Sequence, residues 1–285
     1  MLTADQKSFY RNNGYLLLAQ FKSAKEVAAL RDWALGVVHA FDASRVRSIF
    51  TTQDALRQVD AYFMASAENV SCFFEEEAFN AAGQLQQPKG QSINKIGHAM
   101  HDLVPLVSSF SRSPRLAHLA QDVGLAQPQI WQSMVIFKQP HIGGEVGWHQ
   151  DASFFETDPI TVTTFWFALE DATLKNGCLW VQPGGHHGPL RKRFITADER
   201  NARGVRASMQ SINTAAWPTT SSAIGLEARA GDLILLHGLM PHYSAANRSA
   251  TSRMAFTLHV TDARSAYSPR NWLQRSHNLP VRGFA

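Results

Sequence analysis

The stretch Ile130-Trp131-Gln132-Ser133-Met134-Val135-Ile136-Phe137-Lys138, closed by Gln139-Pro140, sets the texture of the C-terminal half. It is short, rich in β-branched and aromatic residues, and ends at a breaker, which describes a strand better than a helix. Five further segments read the same way: 162–169, 178–182, 226–229, 233–237 and 253–260. Between them fall turn signals such as Gly143-Gly144, Asp158-Pro159, Lys175-Asn176-Gly177, Pro183-Gly184-Gly185 and Ala230-Gly231-Asp232. Short strands punctuated this regularly predict a sandwich or barrel.

Upstream of Gly124 the pattern is mostly helical. Thr3-Ala4-Asp5-Gln6 has capping-box form and starts a helix that ends near Asn13-Gly14, followed by a short strand over 15–18. Ser23-Ala24-Lys25-Glu26 repeats the signature ahead of an amphipathic helix to about His39, with Val27, Leu30, Leu35 and Val38 as its core side. Two more helices are expected over 101–110 and 114–123. The stretch 191–223 is polar and weakly periodic, an insertion placed to cover a site. With no repeat and no linker, the expectation is one mainly-β domain with flanking helices over 1–285. Residues 1–124 form its helical buttress and residues 125–285 its β core.

The chain has 285 residues, 45% hydrophobic and 18% charged, an ordinary globular balance that excludes disorder, collagen and coiled coil. Lys and Arg number 27 against 23 acids, a net +4. The densest basic run, Arg191-Lys192-Arg193, is too short for a nucleic-acid footprint, so no nucleic-acid partner is expected. No stretch approaches the roughly 18 apolar residues of a membrane span, and none resembles a signal peptide. Two cysteines, Cys72 and Cys178, cannot build a disulfide framework. Gly283-Phe284-Ala285 is not the usual peroxisomal address. A cytoplasmic, reducing setting is expected, while oligomeric state is not readable.

The chemistry concentrates in Trp148-His149-Gln150-Asp151 and Pro241-His242-Tyr243-Ser244. Residues two apart in an extended segment share a face, so His149 and Asp151 can aim an imidazole and a carboxylate at one point. His242 would add a third ligand from a distant strand. Two histidines and one carboxylate with open positions suit non-haem Fe(II). With 12 histidines present, an isolated His-x-Asp means little. His237 is a rival third ligand, read instead as supporting or structural; His98, His101, His141 and His259 are assigned no chemistry, and His186 and His187 fall in a turn. Arg253, inside an apolar strand, needs its charge met either by an internal acid or by an anionic ligand such as a small dicarboxylate.

Five ordered motifs carry a resemblance. They are residues 132–140, His149-Gln150-Asp151, residues 165–172, Asn176-Gly177-Cys178-Leu179, and His242-x-Ser244-x-x-Asn247-x-Ser249-x-x-x-Arg253. Together they resemble the phytanoyl-CoA dioxygenase family across most of the chain. The resemblance implies a double-stranded β-helix, or jelly roll, using Fe(II), O₂ and 2-oxoglutarate. It implies His149, Asp151 and His242 as metal ligands, and Ser244 and Arg253 as contacts to the distal carboxylate of the cosubstrate. It also implies Lys95, Met134 and Trp166 as cosubstrate contacts, although without it Lys95 reads as solvated and the other two as packing. The reaction implied is oxidative decarboxylation of 2-oxoglutarate to succinate with hydroxylation of an unidentified small or lipid-like substrate. A true phytanoyl-CoA 2-hydroxylase and a non-catalytic metal and dicarboxylate sensor are the alternatives.

Overall fold

A computed structural model describes residues 1–50, 60–196 and 207–284. Its main sheet has seven antiparallel strands, in the order β1 (Tyr15–Leu18), β12 (Leu233–His237), β7 (Thr163–Ala168), β14 (Arg253–Asp262), β4 (Pro128–Lys138), β3 (Ile93–His98) and β2 (Val70–Phe74). A four-stranded sheet faces it, ordered β11 (Ile224–Leu226), β8 (Leu179–Val181), β13 (His242–Ser244) and β5 (Val146–His149). Two small ladders complete the set: β9 (Lys192–Thr196) with β10 (Ala207–Ser211), and β6 (Thr157–Asp158) with β15 (Ala266–Tyr267). This is the expected jelly-roll arrangement.

Strand alternation decides which side chain meets which layer. On β7, Phe165 and Phe167 join the large core on the outer face, whereas Trp166 and Ala168 turn inward toward Leu179 and Val181 of β8. On β14, Met254, Phe256, Leu258 and Val260 face the outer core, leaving Arg253, Ala255, Thr257 and His259 on the other face. Helices α1 (Ala4–Asn13), α2 (Ala24–Ala40), α3 (Ala61–Ala65), α4 (Met100–Leu103), α5 (Pro105–Ser111) and α6 (Pro114–Asp122) lie in the N-terminal half. Of these, α2, α5 and α6 cover the outer face, with Leu30, Val107 and Leu116 fully buried. Each such side chain contributes about 1.5–3 kcal/mol through burial. No helix among the described residues is long and apolar enough to cross a membrane.

Both capping boxes form as the sequence predicts, Thr3 with Gln6 and Ser23 with Glu26, and Gly14 ends α1 at φ 76°. The core side of α2 is Val27, Leu30, Ala34 and Val38; Leu35 is 44% exposed, because the stripe advances by three and four residues and selects position 34. The helix expected over 101–110 is two helices, since Val104, held extended before Pro105, breaks it. The N-terminal half is more than a buttress: β1, β2 and β3 supply three strands of the main sheet. The strand expected at 226–229 ends at Leu226, with Ala228 making a lone bridge to Ala172. Within 191–223, β9 and β10 form a true ladder, so the insertion is a hairpin; residues 197–206 of it lie outside the described residues.

Candidate metal centre

His149 ends β5 and pairs directly with His242 of β13. Gln150 continues the extended backbone at φ −127° and ψ 132°, which brings Asp151 to the same face as His149 before the chain turns. Asp151 Oδ1 lies 3.8 Å from His149 Nε2 and 3.7 Å from His242 Nε2, and the three ligand atoms fall within 4.8 Å of one another. Among the described residues these three alone form such a cluster. The structure brings together the triad expected from the sequence.

The surrounding hydrogen bonds fix the donor atoms. His149 Nδ1 donates to Gly147 O at 2.9 Å, and His242 Nδ1 donates to Met240 O at 3.0 Å. Each imidazole therefore keeps its Nε2 lone pair for a cation, and the carbonyl behind it sets ring orientation. Thr164 of β7 donates to Asp151 Oδ2 at 2.5 Å, and His259 Nε2 stands 3.6 Å from Asp151 Oδ1. Burial opposes ionisation of Asp151, yet His242, His259 and His149 outweigh it and hold the carboxyl well below the usual range. Gln150, fully buried between two of the ligands, donates to Pro189 O and Leu239 O and accepts from Arg191 N. It ties the metal motif to the base of the insertion.

Two residues along β13 from His242, Ser244 marks a second polar pole. Arg253, 2% exposed, donates from Nε to Gly177 O at 3.2 Å and from Nη2 to Ser244 Oγ at 3.3 Å. Its Nη1 has no hydrogen-bond partner, and no described acid forms an ion pair with it. The internal-acid reading of Arg253 therefore fails, and burial draws its pKa down to about 10. Two residues of extended chain span about 7 Å, so Ser244, which the guanidinium bonds, stands about that far from His242 along β13. Trp166 packs over the Arg253 guanidinium at 5.6 Å. Lys95, 5% exposed, lines the cavity with its Nζ 3.1 Å from the Phe50 ring centre and 3.8 Å from Met134 Sδ. It is not the solvated lysine that its neighbours in sequence suggest.

The cavity above the triad has a volume of about 530 Å³. Its walls include Phe63, Phe155, Trp272 and the hairpin residues Phe194 and Met209, so the insertion does cover the site. His237 stays outside the triad: Nδ1 accepts from Leu239 N, and its ring lies 5.1 Å from that of His186. His259 and Thr164 are the site residues that sequence reasoning missed. A signal for His259 was available, since it sits six residues from Arg253 and therefore on the same face of β14.

Comparison with known proteins agrees with this geometry. The family signature described as phytanoyl-CoA dioxygenase (PhyH) matches residues 10–255. The chain is 44% identical over 276 residues to a phytanoyl-CoA dioxygenase of Arabidopsis thaliana, covering 96% of this chain and 94% of that protein. It is 38% identical over 286 residues to phytanoyl-CoA dioxygenase domain-containing protein 1 of Mus musculus, covering 98% and 97%. In fold it resembles the epimerase SnoN, solved with Fe³⁺, alpha ketoglutarate and nogalamycin RO, at a TM-score of 0.64 and 18% identity over 98% of this chain and 91% of that one. The paired histidines, the shared carboxylate and this likeness along nearly the whole sequence lead to one conclusion: the chain belongs to the phytanoyl-CoA dioxygenase family.

Proposed function

We propose that the protein is an Fe(II)- and 2-oxoglutarate-dependent dioxygenase that hydroxylates a small or lipid-like substrate. The observation that carries this reading is the buried Arg253 whose Nη1 is unmet, one strand step from a two-histidine, one-carboxylate centre. The donor set fits the metal, with two Nε2 atoms freed by backbone carbonyls and one ionised carboxylate. When bound, the metal and cosubstrate supply the oxidation, in which 2-oxoglutarate, O₂ and R–H give succinate, CO₂ and R–OH.

The chain's own residues orient and enclose. His149, Asp151 and His242 would hold the metal on one face, and Thr164 fixes the carboxylate rotamer through Oδ2. Arg253 and Ser244 would grip the distal carboxylate, with Trp166 stacking behind the guanidinium. Lys95 and Met134, already in contact, would flank the cosubstrate's carbon chain. Lys138 donates from Nζ to Gly144 O, Ser244 O and Ala245 O, which pins the backbone carrying Ser244. The aromatic wall excludes water from the reacting carbon.

Among the described residues, the lysines and arginines on the cavity wall are Lys95, engaged near the cosubstrate end, and Lys192. A nucleotide-bearing thioester calls for several phosphate contacts, so we favour a smaller substrate than phytanoyl-CoA. The free, buried thiols Cys72 and Cys178 fit a reducing, cytoplasmic setting. The test is anaerobic loading with Fe(II) and 2-oxoglutarate followed by admission of air. Metal-dependent succinate formation is expected. Tight binding of both ligands with no O₂ consumption would make the protein a sensor instead.

A further inference from the structure

Where β14 runs away from Arg253, the cavity wall holds two imidazoles with defined tautomers, His98 and His259. His98 is 2% exposed, packed between Trp272 at 5.1 Å and Phe73 at 5.7 Å, and its ring lines the cavity. Its Nδ1 lies 2.8 Å from Ser66 Oγ. Ser66 has a single hydroxyl proton and gives it to Phe63 O at 2.5 Å. His98 Nδ1 must then be the donor to Ser66, which leaves Nε2 as a lone-pair acceptor. Burial, with Lys95 and Arg275 nearby, keeps this ring neutral. No hydrogen bond reaches Nε2 among the described residues.

His259 repeats the arrangement. Its Nε2 faces the Asp151 carboxylate and so carries the proton, its ring stacks on Phe155 at 5.1 Å, and its buried Nδ1 has no partner. A buried acceptor without a donor is costly, by about 1–3 kcal/mol for a typical polar group. His259 Nδ1 is sealed within the wall, so the acceptor open to the aromatic-walled chamber is His98 Nε2. Among the described residues the cavity wall carries no carboxylate except Asp151, which the metal site uses, so none of them offers a cationic substrate a counter-ion. A carboxylate at this end would set lone pair against lone pair.

Resting on the oxygenase reading above, we propose that the chamber selects an uncharged, largely apolar or aromatic substrate bearing a hydroxyl group. The hydroxyl donates to His98 Nε2, and the apolar body packs on Phe63, Phe155 and Trp272. His98 lines the same chamber as the metal ligands His149 and Asp151, so this bond orients the substrate relative to them.

Three probes of one shape test it: biphenyl-4-ol, 4-methoxybiphenyl and biphenyl-4-carboxylate. Binding to the full-length, 2-oxoglutarate-loaded protein is read by tryptophan fluorescence, and stimulation of succinate formation is read with iron present. The phenol is expected to bind about tenfold more tightly than the ether, the yield of one hydrogen bond, and the carboxylate more weakly still. His98→Phe, which keeps the ring volume and removes the acceptor, should bring phenol and ether within about twofold of each other. Equal binding of phenol and ether to the native chain overturns the proposal without using any variant. So does tight binding of the carboxylate, or undiminished selectivity in a folded His98→Phe protein. Succinate formation without any probe reports on the oxygenase reading separately. If it is absent while the phenol preference persists, that reading fails and the binding inference stands.

Discussion

His149 and His242 stand opposite each other across the β5–β13 ladder with ring centres 4.0 Å apart, and each is braced by the carbonyl two residues before it. The same strand geometry thus sets position and tautomer for both. Removing one partner should abolish the centre while leaving the strands paired. His242→Ala is expected to lower metal-dependent succinate formation by at least about 100-fold, the range seen when even supporting groups of a metal site are lost. Far-ultraviolet circular dichroism should be unchanged. Retention of full iron-dependent turnover would remove His242 from the ligand set.

Arg253→Lys keeps a cation but loses the planar fork that bonds Gly177 O and Ser244 Oγ while leaving Nη1 free to reach outward. Lys cannot make both kinds of contact from one nitrogen. The KM for 2-oxoglutarate should rise at least about tenfold, with kcat changing much less. Steady-state kinetics at saturating O₂ distinguishes this from a general loss of activity.

Thr164→Val preserves shape and removes the 2.5 Å hydrogen bond to Asp151 Oδ2. Metal affinity should fall about 10- to 100-fold. Titration with Mn²⁺ followed by electron paramagnetic resonance reads this without any turnover. An unchanged affinity would mean that Asp151 is held in place by His259 alone.

Gln150→Leu leaves Pro189 O, Leu239 O and Arg191 N without their present partner in a fully buried position. At about 1–3 kcal/mol for each unmet group, the loss should exceed about 2 kcal/mol in urea unfolding. Because the bonds join the metal motif to the insertion, metal affinity and substrate KM should worsen together.

Burial, with His186 and His187 nearby, lowers the pKa of His237 to about 4, against about 6.5 for an unfolded histidine. Between those values the unfolded chain binds a proton that the folded one refuses, so this contribution to stability is complete above pH 6.5 and is lost as the pH falls toward 4. The shift corresponds to about 3 kcal/mol at most. His237→Gln should flatten that part of the metal-free protein's stability profile, measured by urea unfolding at pH 4.5, 5.5 and 7. An unchanged slope would assign the acid sensitivity to other groups.

What was legible from sequence divides along physical lines. His149 and Asp151 were readable because an extended pair two apart needs only local backbone, and Gln150 supplied it. His242, Ser244 and Arg253 needed the register of distant strands, which the family motifs carried. His259 was hidden among 12 histidines, although the apolar alternation Met254, Phe256, Leu258, Val260 places it on the face of Arg253. Strand β3 was hidden for another reason. Ile93-Asn94-Lys95-Ile96-Gly97-His98 is buried on both faces while mixing polar and apolar residues, so no periodicity marks it. Its polar members are buried because they face the cavity. Leu35 failed because hydrophobicity alone does not choose between neighbouring positions on a helix; the packed stripe does.

The pairing of β1 with β12 joins Tyr15 to Leu236 and Leu18 to Leu233. During synthesis the first strand therefore emerges more than two hundred residues before the segment that shields its free edge. Closing so long a loop is entropically slow, and most of the seven-stranded layer has the same long-range character. Assembly must wait for nearly the entire polypeptide, and until then Tyr15-Leu16-Leu17-Leu18 is an exposed apolar edge. Yield of native enzyme in a cell should accordingly depend on chaperone supply and growth temperature more than on any single side chain at the metal.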